Sequence, residues 1–320
     1  MPSQEYWQER AELRAIKAYD KADNSYKDLQ LLYKQASDSI DKDISHFYTK
    51  YGKNIQSPTF KTLSDGTKVI SGSSTKLVVP ANEAYKYKRL ESLKSQLNQT
   101  LSELAKNQDK YMTTELRLLA QDSYNSFYFD TFQGYGVGFD FDLLDPKAIN
   151  QLSKNKIQGL TYGDRIIENS RKYKNATYQE LVNGLTQGIG TKEMTKRLAN
   201  KTSLAYRVAE TLMRTEITNT YNQATLQGYK SSGIVIEYEY LATLDNRTSD
   251  ICQALDGKVF KVKNAIVGLN YPPMHPRCRS TTLSKFDDEV FERRARDPKT
   301  GKTYTVPSDM SYFEWAKIYL

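Results

Sequence analysis

Both cysteines of the chain, Cys252 and Cys278, and one of its two histidines, His275, fall within one short segment. Thiolates and a neutral imidazole are the ligands zinc prefers, and the spacing C-x22-H-x2-C resembles part of a zinc site. Zinc is therefore the candidate cofactor, held by Cys252, His275 and Cys278. A structural site takes four ligands, so a carboxylate such as Asp245 or Asp250 would have to supply the last. Three other readings of the same residues stand beside it. The cysteines can be small buried hydrophobes, with His275 hydrogen-bonded in its turn. They can form a disulfide. Or Cys252, His275 and Asp245 can be the working groups of a thiol hydrolase or a metal-dependent nuclease. No phosphate-cradling glycine loop and no nucleophile–base pattern accompanies them, which favours a structural protein over an enzyme.

These residues must be carried by a compact, turn-rich stretch. Asp245-Asn246-Arg247-Thr248 is a polar turn after an extended run, Ile234 to Ile236 with Tyr238 and Tyr240. Asp256-Gly257 is a turn before a second run, Lys258 to Val262. Pro272-Pro273 fixes an extended approach to His275. A long helix over residues 203–230, ending near Gly233, precedes all of this. It carries Arg214 and Glu216, which are two apart and so face different ways. Arg214 is expected to anchor the 245–256 loop through a bidentate carboxylate contact with Asp245 or Asp250.

Upstream, the period is helical. Leu29, Tyr33, Ala36, Ile40, Ile44, Phe47 and Tyr51 recur at steps of four and three, and so do Leu90, Leu93, Leu97, Leu101 and Leu104. Helices over 3–51 and 82–121 would bury both seams as an elongated helical hairpin, with a turn-rich insertion at 55–81. An aromatic segment follows, from Tyr124 to Phe141, suited to packing or to stacking on nucleobases. Asp145-Pro146 opens a short helix, Thr177 with Glu180 caps another, and Thr191 opens a short helix to Leu198. The fold class is thus mainly α with a small α+β C-terminal domain. The expected organisation is a helical region at 1–145, an α+β domain at 146–284, and a basic and aromatic tail at 285–320.

Hydrophobic residues make up only 38% of the 320, and the 24 tyrosines outnumber 11 phenylalanines. Tyrosine has an apolar body and a polar tip, so it suits partly buried faces. The net charge of +8 favours an acidic partner or nucleic acid. Arg293, Arg294 and Arg296 are the candidate contacts to double-stranded DNA, binding weakly and without sequence preference. Two cysteines are too few for a disulfide scaffold, no apolar run reaches the roughly 20 residues of a membrane span, and residues 1–10 lack a signal-peptide core. The expectation is a chain made in a reducing cytoplasm.

The order of the motifs resembles the tailed-bacteriophage head-morphogenesis family, the Mu protein F-like domain. That pattern runs Arg-Thr-Glu on a long helix, D-x-R-T-C-x-x-C, L-D-G-K, then P-P-x-H-x-x-C-R-C. Here it is met by Arg214, Thr215 and Glu216, by Asp245, Arg247, Thr248 and Cys252, by Leu255, Asp256, Gly257 and Lys258, and by Pro272, Pro273, His275, Cys278 and Arg279. Two positions depart from it: Ser249 and Ser280 stand where cysteines are usual. The resemblance covers about residues 180–282. It implies a minor capsid protein of the virion, made in the bacterial host. Inside the head it would sit with the portal protein and other head proteins, aid assembly, and accompany DNA packaging or ejection.

Overall fold

A computed structural model of the chain describes residues 4–51, 60–62, 68–70, 81–135, 144–285, 292–297, 300, 302–307 and 310–319. The architecture is mainly α, with small antiparallel strands toward the C-terminus, as the sequence pattern predicts. The order is α1 (Gln4–Tyr51), β1 (Phe60–Thr62), β2 (Lys68–Ile70), α2 (Ala81–Tyr135), α3 (Pro146–Ser153), α4 (Tyr162–Gln187), α5 (Thr191–Ser232), β3 (Glu237–Leu241), α6 (Asp250–Leu255), β4 (Val259–Lys261), β5 (Thr281–Ser284), β6 (Glu292–Arg296), β7 (Thr303–Pro307) and α7 (Tyr312–Tyr319). Among the described residues no helix is long and apolar enough to cross a membrane.

Two compact units are formed by interleaved segments. One contains residues 28–109 and 166–209, the other residues 1–27, 110–165 and 210–320. The first is a helical layer. The stretch from Gln4 to Tyr51 contains neither Gly nor Pro, so nothing interrupts α1. The expected seam is buried: Leu29, Ile40, Ile44, Leu97 and Leu101 are each at most 1% exposed. Each such side chain contributes about 1.5–3 kcal/mol by leaving water. Two buried polar contacts join the layer's helices: Tyr33 Oη donates to Gln108 (3.0 Å), and the Tyr173 and Thr202 hydroxyls meet at 2.5 Å.

Two helix boundaries differ from the sequence reading. Thr177 does not cap a helix; it lies buried inside α4. The cap is a box one helix start earlier, where Asp164 Oδ2 accepts from Thr161 N (2.9 Å) and Thr161 Oγ1 accepts from Asp164 N (3.2 Å). The short helix from Thr191 does not stop at Leu198 but continues as α5 to Ser232. Thr202 is absorbed because its hydroxyl returns to Leu198 O (3.1 Å), a bond that leaves the helix intact. Gly188 and Gly233, at φ +68 in both cases, end the α4 and α5 runs where a left-handed residue is needed.

In the second unit the N-terminal part of α1 lies along α2. Arg14 pairs with Asp130, and Tyr6 Oη donates to the Asp130 carbonyl (2.8 Å). The aromatic segment divides. Tyr124, Phe127 and Tyr128 are buried in a core with Ile149, Tyr229, Tyr238 and Tyr271. Phe129 and Phe132 are about half exposed, at 57% and 49%. Phe139 and Phe141 lie outside the described residues. Phe127 leaves no room for a Cβ on the facing helix: one added at Gly228 would sit 2.3 Å from its ring.

Three strands form a sheet in the order β4-β3-β5, all antiparallel, with Tyr238 opposite Phe260 and Ser284 and with Tyr240 opposite Thr282. Alternation turns Tyr238 and Tyr240 inward, both fully buried. Residues 234–236, expected as strand, lead into β3 without joining it. The described residues beyond 285, expected as a tail, are folded. β6 pairs with β7, and Ala295, Val306, Tyr312 and Trp315 pack around Leu244. Trp315 is wholly buried, which a tail of this composition hides from a reading based on charge.

Candidate functional site

The motif residues from 245 to 279 converge on a polar knot built between β3, α6, the 271–280 segment and the buried Thr215, Thr218 and Asn222 face of α5. Asp245 is its anchor. Arg279 grips the carboxylate with two nitrogens, the Nη2–Oδ1 bond being 2.7 Å, and Arg247 N donates to Oδ1 (2.9 Å). Thr248 Oγ1 contacts both the Thr243 carbonyl and Asp245 Oδ1. Burial alone would raise the Asp245 pKa, but the Arg279 guanidinium, aided by the Arg247 backbone N–H and charge, outweighs it and holds the carboxyl below its ordinary value. The bidentate arginine is thus Arg279, not Arg214 as the sequence suggested. Arg214 stacks 3.9 Å over the Tyr26 ring and pairs with Glu210 (3.1 Å) and Asp23 (3.3 Å). An acid at i, i+4, one turn away on the same helix, is a nearer partner than a distant loop.

Asp256 and Gly257 fix the other end of the strand. Asp256 Oδ1 accepts from Ala242 N and Oδ2 from Tyr312 N, both at 2.8 Å. Gly257 takes φ +73, and its N–H reaches the Tyr240 carbonyl (2.9 Å). Pro273 is buried behind Tyr271, after a cis Pro272-Pro273 peptide.

Cys252, His275 and Cys278 meet in the middle. Cys252 Sγ lies 3.3 Å from His275 Nε2 and 3.8 Å from Cys278 Sγ. Ser249 Oγ is 2.7 Å from the same Nε2, and Tyr240 Oη donates to Cys252 Sγ (3.3 Å). Both cysteines are free thiols. The thiol–thiol hydrogen bond holds Cys252 below and Cys278 above the ordinary cysteine value, because one proton is shared between them. Among the described residues these three form the one group of Cys, His or carboxylate atoms arranged as metal ligands. Asp245 stands outside it, its oxygens taken by Arg279, and Asp250 is exposed at the start of α6.

The sequence reading missed the residues that dock this knot onto α5. Thr215 Oγ1 accepts from Arg277 N (3.1 Å), Thr218 Oγ1 donates to the Cys278 carbonyl (2.8 Å), and Asn222 Nδ2 donates to the Ser280 carbonyl (3.3 Å). A stripe of buried Thr and Asn at helical spacing was the available signal. Tyrosine tips do the same work elsewhere in this unit. Tyr19 reaches the Arg279 carbonyl (2.6 Å), Tyr271 that of Asn222 (2.8 Å), and Tyr312 that of Asp245 (3.2 Å). Glu216 instead points into the interior. Oε2 accepts from Asn219 (3.4 Å), Oε1 has no partner, and burial pushes the carboxyl up to about 7. Arg296 is exposed on β6, while the side chains of Arg293 and Arg294 lie outside the described residues.

Residues 175–283 match the family described as Phage Mu protein F like protein. That match covers about a third of the chain. It contains the knot and the α5 face that carries it. The chain is also similar to NAD(+)--arginine ADP-ribosyltransferase EFV of Enterococcus faecalis, 24% identical over 302 residues, which cover 90% of this chain. The chain spans 59% of the length of that relative. No solved structure matches.

Proposed function

We propose that this chain is a minor head protein of a tailed phage, present in few copies, seated against the portal protein inside the capsid and not itself catalytic. The observation that carries the reading is the Mu F-like segment, whose motif residues between 245 and 279 are spent on holding the knot together. Asp245 is neutralised by Arg279, Asp256 caps two backbone amides, and the cysteines are at most 2% exposed. A thiol hydrolase would need Cys252 open to substrate and His275 oriented by an acid. Here the other ring nitrogen of His275 meets the Pro276 carbonyl (2.8 Å). The exposed Phe129 and Phe132 suit a protein interface. The exposed Arg296 suits weak contact with packaged DNA that fades with salt. The test is mass spectrometry of gradient-purified particles made by the phage or prophage that encodes the chain. The expected result is the chain at low stoichiometry with the portal protein. Infectious particles lacking the chain would overturn the reading.

The relative's name supports a second reading, transfer of ADP-ribose from NAD+ to arginine. About two-fifths of that protein lies outside the match, so the shared part need not carry the activity its name describes. Incubating the purified chain with labelled NAD+ and an arginine acceptor decides between them: incorporation of label would replace the structural reading with the enzymatic one.

A further inference from the structure

Two edges of the Cys252–His275–Cys278 group, both from Cys252 Sγ, are close to those of a tetrahedral metal centre. With zinc–sulfur bonds near 2.3 Å and zinc–nitrogen bonds near 2.05 Å, the S···S edge of a tetrahedron is about 3.8 Å and the S···N edge about 3.6 Å. The observed separations are 3.8 Å and 3.3 Å, and all three donor atoms lie within 4.8 Å of one another. The imidazole is oriented for the task. Its Nδ1–H donates to the Pro276 carbonyl (2.8 Å), which leaves the Nε2 lone pair facing Cys252 Sγ (3.3 Å) and Ser249 Oγ (2.7 Å). Tyr240 adds a hydrogen bond to Cys252 Sγ, the usual support of a bound thiolate. Beside the group is a cavity of about 20 Å³, lined by Ser249, Ser280, Cys252 and His275 among others. That is room for a single water.

We propose that Cys252 Sγ, Cys278 Sγ and His275 Nε2 hold one zinc ion, with a water at the fourth vertex beside Ser249. Soft sulfur and imidazole donors select zinc over magnesium or calcium. Binding displaces the two thiol protons to solvent and transfers no electrons. The ion ties α6 to the 271–280 segment, where apolar packing is thin: the surrounding cluster has only Tyr240, Ala242 and the two cysteines fully buried. Ser249 leaves the fourth vertex without a protein thiolate. The centre is therefore three-coordinate from the chain and tunable at one residue.

The full chain, purified under reducing conditions, is titrated with zinc and with cobalt. One equivalent should bind, and the cobalt form should show the intense visible bands and thiolate charge-transfer absorption of a tetrahedral site. C252S and C278S should each weaken zinc by at least a hundredfold in chelator competition. S249C supplies a fourth thiolate and should tighten zinc at least tenfold at unchanged stoichiometry, a gain that a misfolded variant cannot mimic. Absence of stoichiometric metal in the folded, reduced wild type would overturn the proposal. So would an S249C affinity equal to wild type, or a Cys252–Cys278 disulfide that forms equally fast with zinc present.

Discussion

The helical layer of residues 28–109 and 166–209 and the knot of residues 241–284 are stabilised in opposite ways. In the layer, side chains act singly. Leu29, Ile44 and Leu97 are wholly buried, and each contributes roughly in proportion to the area it removes from water. In the knot, side chains act in pairs. Asp245, Arg279, Asp256 and Thr218 are worth little alone and stabilise only because a specific partner is present. The layer should therefore forgive changes that keep volume, and the knot should forgive almost none.

The largest effect is expected at Asp245. Asp245→Ala strands the half-buried Arg279 guanidinium, and removing one partner of such a pair costs about 3–5 kcal/mol. Asp245→Asn keeps the shape and loses the charge, so it should cost more than half as much. Urea unfolding of the full chain, with hydrogen exchange to localise the loss to 241–284, measures both. An Asp245→Asn variant as stable as wild type would erase the distinction between the regions. Leu97→Ala comes next, at about 2–5 kcal/mol for a wholly buried leucine. Leu97→Met should cost under about 1.5 kcal/mol, since the layer needs volume and not a particular partner. A Met variant as damaging as the Ala variant would show that the layer is as exacting as the knot.

This difference also governs what can be read from the sequence. The seam from Leu29 to Phe47 and the leucines at 93, 97, 101 and 104 are legible because period alone marks a buried face. The motif residues of the knot are legible as a set, and Asp256-Gly257 even as a turn. Their partners are not, because an arginine's choice among several acids depends on distances that spacing does not encode. Arg214 had Glu210 one helical turn away, and Asp245 was left to Arg279, 34 positions along the chain. Thr177 and Thr161 show the same limit locally: both precede an acid by three, and only Thr161 stands at a helix start. The folded segment beyond 285 was obscured for another reason. Its core is Ala295, Val306, Tyr312 and Trp315 closing on Leu244, spread over two short strands and a helix and so too scattered to leave a period.

Glu216, which points into the interior and joins none of the knot's hydrogen bonds, gives the smallest expected effect and tests whether buried polar groups of this unit must be paired. Its Oε1 has no partner, as is also true of Asn219 Oδ1 and Thr220 Oγ1 on the same helix face. Burial holds the folded carboxyl up at about 7, above the ordinary value near 4.5. A raised carboxyl favours the fold fully below the unfolded value and loses that advantage as pH climbs through the folded one. Wild-type stability should therefore fall between about pH 4.5 and 7 and level off above. The displacement is roughly 2.5 units, which sets an upper limit of about 3 kcal/mol. Glu216→Gln removes the titration but leaves an unpaired amide, so the net gain at pH 8 should be nearer 1–2 kcal/mol, a part of that limit. At pH 5 the variant and wild type should differ little. Melting curves at the two pH values are sufficient. A variant that loses stability equally at both would mean that Glu216 is ionised and paired in the folded chain, and the contrast between partnered and unpartnered polar groups in this unit would fail.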